Sequence, residues 1–242
     1  MPEERYFGLA LDPAKKLVRS IAADPGQCLA YGIIDDDKSE AVVDRLMSPE
    51  LFSGWGIRTL STRHPAFNPF AYHLGSVWPV TNATAGLGLK RYGFNAELHE
   101  LARAMFEATE LFDLNRLPET MGGHTRDRRH PHPGIYPQAN SPQAWSASAL
   151  VSLIHSLLGL IPLAPRQTLI VDPDLPDWLP ELTLTNLRVG GAKVSLGFRR
   201  DTEGHTVHEI VEQHGELRIH RLATDDAAAD SFARGLREVL SC

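Results

Sequence analysis

Apolar residues recur at helical spacing in four stretches of the first two thirds of the chain. Residues 38 to 47 carry Val42, Val43, Leu46 and Met47 on one side. Residues 76 to 92 place Pro79 near the first turn, where a missing N–H costs little, and stop at Gly93. Gly86 and Gly88 inside that stretch predict close helix packing rather than high propensity. Residues 95 to 112 are the clearest, with Leu98, Leu101, Ala102, Met105, Phe106 and Thr109 at i, i+3, i+4 spacing. Asn95 is placed to cap that helix and Phe94 to staple it. Residues 142 to 159 are apolar on most sides, which predicts a helix buried on both faces.

Long loops separate these helices, at 51 to 72 and again at 113 to 141, where Gly, Pro and His are frequent. At the start, Phe7, Leu9 and Leu11 alternate like a strand and run into Asp12-Pro13, so the chain reads as beginning inside a fold. The composition shifts near residue 165. Thr168 to Val171, Leu182 to Leu184, Lys193 to Phe198, Val207 to Val211 and Leu217 to Leu222 read as short strands, with turns at Gly190-Gly191 and Glu203-Gly204. The tail, Asp225 to Leu240, reads as helical or frayed. The expected fold is therefore mostly α, helical hairpins over residues 1–164 followed by a small β-rich appendage over residues 165–242.

The 242 residues are 43% hydrophobic and include 19 Gly and 17 Pro, as in a globular protein with many structured loops. A formal charge of -6 and a pI near 6.0 argue against nucleic acid as a partner. The basic run Arg126 to His130 is short, is interrupted by Asp127, and reads as a solvated loop. Cys28 and Cys242 are far apart in sequence, which favours free thiols in a reducing compartment. There is no apolar leader at Met1 to Arg5 and no run of about 18 apolar residues, so the reading is cytoplasmic with no membrane partner. His124, His130 and His132 have irregular spacing without a matching acidic group, so neither a metal nor a cofactor is expected.

Glu119 stands out. It lies in Leu117-Pro118-Glu119-Thr120-Met121-Gly122-Gly123, a loop between two helical stretches. Trp55, Arg58, Tyr72, His73, Trp78, Tyr136, Gln143 and Trp145 are of the types that hold sugars, with aromatic faces for C–H patches and polar groups for hydroxyls. A carboxylate in such company points to glycoside hydrolysis, which normally uses two carboxylates. Two roles stay open for Glu119: a catalytic base, or a partner for Arg116 or Arg126. Trp55 likewise reads as a sugar platform or as a loop anchor. Asp113, Asp127 and Asp177 are in-chain alternatives for the second carboxylate, and none is convincing, so the chain is expected to hold half of an active site.

Four motifs occur in one order: Ser53 to Ser61, Phe67 to Pro79, the Leu117-Pro118-Glu119 loop, and Tyr136 to Trp145. Together they resemble the C-terminal catalytic region of bacterial amylo-α-1,6-glucosidase-like proteins, the glycogen-debranching type of glycoside hydrolase, over roughly residues 5 to 200. The resemblance implies an (α/α)6 barrel, inverting attack on α-glucosidic bonds, Glu119 as general base, and an α-glucan or oligosaccharide substrate. It also implies that the general-acid Asp comes from a segment upstream of Phe7, supplied by a partner segment or chain that completes the barrel. Val80-Thr81-Asn82 is neutral where many relatives carry an acidic residue. The alternatives are a non-catalytic carbohydrate-binding or assembly module and a related phosphorylase or trehalase-like enzyme.

Overall fold

The computed structural model describes residues 1–222, and these divide between two units, 1–153 and 154–222. The tail expected to be helical or frayed, Asp225 to Leu240, and the thiol of Cys242 lie outside the described residues.

In the first unit, α1 (Asp24–Ala30), α2 (Asp36–Leu46), α3 (Pro79–Arg91) and α4 (Asn95–Glu110) precede α5 (Ala144–Leu158), which runs on into the second. Periodicity explains α4: Leu98, Leu101, Ala102, Met105 and Ala108 fall on one buried face. The α4 N-terminus lacks the expected side-chain cap from Asn95, and Phe94 occupies the cap position. Gly88 lets α3 approach α1, because a Cβ there would come 2.6 Å from the Leu29 Cβ. α1 escapes sequence reading because Asp24-Pro25-Gly26 looks like a turn. α5 is not buried on both faces: Val151 is 67% and Trp145 42% exposed.

The strand expected at Phe7 to Leu11 shrinks to β1 (Ala10–Leu11), paired with β2 (Leu17–Val18), and all three alternating apolar side chains are exposed. The loops are organised differently from a barrel. Ladder contacts join Phe52 to Ile57, Arg58 to Val77 and Val77 to Met121. Met121 continues into β3 (Met121–Gly122), which pairs with β4 (Gly134–Ile135). One extended seam thus gathers three loops that are distant in sequence. Gly123 closes it, since a Cβ there would overlap the Gly75 carbonyl oxygen.

In the second unit, β6 (Thr168–Val171) lies between β5 (Ile161–Leu163), antiparallel, and β10 (Arg218–Arg221), parallel. β7 (Glu181–Val189), β8 (Ala192–Arg200) and β9 (Thr206–His214) form an antiparallel meander. Gly190, at φ 60°, makes the β7–β8 turn and Gly204, at φ 88°, the β8–β9 turn. Val194, Leu196 and Phe198 alternate into a core with Leu158, Leu169, Val171 and Leu175.

These elements correct the expected fold class. Five α-helices stand beside ten strands in four small sheets among the described residues, a mixed architecture rather than a mostly α hairpin barrel with a small appendage. The physical reason lies in the Pro- and Gly-rich loops, which carry bridges and short ladders instead of helices, and in three strands of nine residues each beyond residue 180. Among the described residues no helix is long and apolar enough to cross a membrane.

Candidate functional site

Glu119 is 6% exposed and sits just before β3. Its backbone N–H donates to the Asn140 carbonyl at 2.9 Å, tying its loop to the Tyr136–Trp145 segment. Three donors converge on its carboxylate. The Tyr72 hydroxyl donates to Oε1 at 2.8 Å, while the Asn140 backbone N–H and Nδ2 donate to Oε2 at 3.3 and 3.1 Å. The Tyr72 hydrogen bond, followed by those from Asn140, holds the carboxyl below the usual glutamate range. In return, the Glu119 bond pushes the Tyr72 phenol up. A carboxylate held ionised in this way is not set up to donate a proton.

An aromatic wall adjoins it. Tyr72 meets Trp78 edge-on at 4.6 Å between centroids and lies 5.7 Å from Tyr136. His73 stacks on Trp78 at 5.3 Å with the planes 8° apart, and Trp78 meets Trp145 at 6.1 Å. The Trp78 indole is fixed because its N–H reaches the Tyr72 carbonyl and Ser76 Oγ, both at 3.0 Å. The expected residues Tyr72, His73, Trp78, Tyr136 and Trp145 thus form one connected group that reaches Glu119 through Tyr72, and Gln143 stands at the entry to α5, accepting from the Ala144 N–H at 2.8 Å.

Trp55 and Arg58 lie apart from this group. Trp55 is wholly buried beneath the Arg126 guanidinium, which sits 4.3 Å from the ring centroid, so it offers no face to a ligand. Arg58 is also wholly buried. Its guanidinium donates to the carbonyls of Gly123 and Pro49 and to Thr125 Oγ1, and burial pushes its pKa down to about 10. Both residues brace the seam. Asn82, in the neutral Val80-Thr81-Asn82 stretch, does so too: its amide bonds both backbone groups of Ile57 and the Trp78 carbonyl.

Within the first unit neither Asp113 nor Asp127 is hydrogen-bonded to Glu119, and Asp177 belongs to the second unit. Asp113 is exposed, Asp127 accepts from His130 and Arg129, and Asp177 pairs with Arg200. Among the described residues no cluster of three or more His, Cys, Asp or Glu is arranged to hold a metal ion.

Sequence reasoning missed a cavity of about 670 Å³ on the same aromatic wall. It is lined by His73, Trp78 and Trp145 together with Asp24, Gln27 and His64. The signal that could have found Asp24 was its place in a Pro-Gly turn that starts a helix, as with Glu119 in its own Pro/Gly loop.

Residues 18–125 match the family model of the mannosylglycerate hydrolase MGH1-like glycoside hydrolase domain, somewhat under half of the chain. No curated protein matches. Among solved structures, an uncharacterized conserved protein from Thermus thermophilus is similar over 58% of this chain and 32% of its own, at 18% identity and TM-score 0.45. The GH63 mannosylglycerate hydrolase of Thermus thermophilus is similar at the same identity and TM-score, both in complex with glucose and with Tris and D-glycerate. The chain spans about a third of the length of these structures. The family match supports a glycoside hydrolase relationship for residues 18–125, without singling out the amylo-α-1,6-glucosidase type.

Proposed function

We propose that this chain carries the base side of a glycosidase active site acting on α-glucosidic linkages, of the glycogen-debranching, amylo-α-1,6-glucosidase type. The observation that carries the reading is the seat of Glu119, an ionised carboxylate with both oxygens hydrogen-bonded beside an aromatic wall. In an inverting step, water attacks the anomeric carbon as the glycosidic C–O bond breaks. Glu119 takes the water's proton, and an acid on the other face protonates the leaving oxygen. Tyr72, His73, Trp78, Tyr136, Gln143 and Trp145 present the sugar, while Trp55 and Arg58 act from behind by holding the loops.

The acid is assigned to an upstream segment or separate chain. Asp113, Asp127 and Asp177 are each exposed, and neither Asp113 nor Asp127 is bonded into the Glu119 network. That same observation favours a second reading, a non-catalytic carbohydrate-binding module that keeps the wall and performs no chemistry. Turnover of an α-1,6-linked glucan by the completed enzyme separates them. Glu119→Gln is expected to lower kcat by about 10²–10⁴-fold. Unchanged turnover in that variant removes Glu119 from the reaction. Saturable maltooligosaccharide binding by a completed protein without turnover favours the module.

A further inference from the structure

The 670 Å³ cavity is built from two kinds of surface. One side is aromatic: His73 and Trp78 stacked in parallel, with Trp145 edge-on to Trp78 and 42% exposed. The other is polar, with Asp24, His64 and Ser20. Hydrogen bonding fixes how that side is protonated. His64 Nδ1 accepts the Ala66 N–H at 3.1 Å, so its proton sits on Nε2 and donates to Ser20 Oγ at 3.2 Å. The nitrogen facing Ser20 is therefore a donor and cannot act as a base toward it, which rules out a Ser–His nucleophile. Ser20 keeps its own proton for another acceptor. The Asp24 carboxylate, when ionised, accepts hydrogen bonds and donates none.

Among the described residues no Lys or Arg lines the cavity. Arg58, the buried cation of the neighbouring seam, has its donors committed to Gly123, Pro49 and Thr125. The described lining thus pairs flat aromatic faces with a carboxylate and hydroxyl, and places no Lys or Arg against a ligand carboxylate or phosphate.

We infer that this cavity is a binding subsite for an uncharged pyranoside, with the ring stacked on the exposed Trp145, which the buried Trp78 backs, and hydroxyls shared with Asp24 and Ser20. The inference rests on the glycosidase reading above and adds to it the residues and charge class that select the substrate. Aromatic faces bind the C–H patches of a sugar ring, and a carboxylate accepting from hydroxyls fixes its orientation. An anionic aglycone such as glycerate would meet Asp24 with no counter-charge.

The test is titration of the full chain with isomaltose, methyl α-D-glucopyranoside and D-glycerate, read by tryptophan fluorescence and calorimetry. Saturable binding of the two neutral glycosides is expected, with no response to glycerate. Asp24→Ala is expected to weaken binding about tenfold. Trp145→Ala, at a half-exposed position, is expected to weaken it as well and provides a check should Asp24→Ala fold poorly. The exposed Glu110→Gln at the end of α4 serves as a control. The proposal falls if the wild-type trace is flat, if Asp24→Ala and Trp145→Ala both bind as the wild type does, or if glycerate binds as well as the glycosides. None of these outcomes bears on Glu119, whose role is judged by turnover of the completed enzyme.

Discussion

Among the described residues, Met1–Leu153 buries four charged side chains, Glu50, Arg58, Lys90 and Glu119, whereas residues 154–222 bury none. The second unit is held by alternation: apolar side chains of β8 enter one core, and its buried polar groups are hydroxyls. The first unit takes ionisable groups out of water and must satisfy each one. Glu50 accepts from Ser61 and Arg45, Arg58 binds backbone carbonyls, and Glu119 receives Tyr72 and Asn140. Burying charge is costly unless it is bonded, so a unit that does it repeatedly gives up stability for arrangement. The contrast separates a scaffold from a site.

The largest effects test that contrast directly. Phe198→Ala, a cavity mutation in the meander, is expected to cost about 3–5 kcal/mol in urea unfolding followed by circular dichroism. Arg58→Ala should cost about 3 kcal/mol, because two buried carbonyls lose their donor, and Arg58→Lys should recover only part of this, since an ammonium lacks the planar fork. If Arg58→Ala costs under about 1 kcal/mol, polar bracing does not distinguish the two units.

A smaller effect sharpens the role of the Glu119 seat. Tyr72 stabilises the ionised carboxylate, so Tyr72→Phe removes a donor and must raise the Glu119 pKa toward the ordinary glutamate value. Carboxyl-carbon NMR of the chain should show the Glu119 titration moving to higher pH, and the acid limb of the completed enzyme's rate profile should move the same way. A titration that stays in place assigns the low pKa to Asn140 alone.

The smallest effect concerns the second unit. Burial, with Arg221 nearby, lowers the pKa of His208. Its folded state therefore favours the neutral ring, and the unfolded chain binds more protons below its own pKa of about 6.5. Stability present above that pH is lost as the pH falls through the window below it. The urea midpoint should drop between about pH 7.5 and pH 5, and His208→Gln should reduce that drop; an unchanged drop places the acid sensitivity elsewhere.

The sequence disclosed what local pattern can encode. The α4 face follows from helical spacing, and the meander from alternation punctuated by Gly190 and Gly204. The aromatic company of Glu119 was legible from residue type. The seam was not, because bridges of one residue, such as Arg58 to Val77, leave no period to detect. For the same reason Trp55 and Arg58 could not be told apart from ligand-facing residues: what buries Trp55 is Arg126, 71 positions further along the chain. The barrel expectation failed where loops rich in Gly and Pro proved to hold short ladders.

Val77 contacts Arg58 on one side and Met121 on the other, and Thr120 Oγ1 also donates to its carbonyl. The chain between these contact points is free to vary in length, since doubling a flexible loop adds only about 0.6 kcal/mol of closure entropy. Insertions at 62–66 would therefore leave these contact points in place. Loop length and the Glu119 seat can thus change independently of one another.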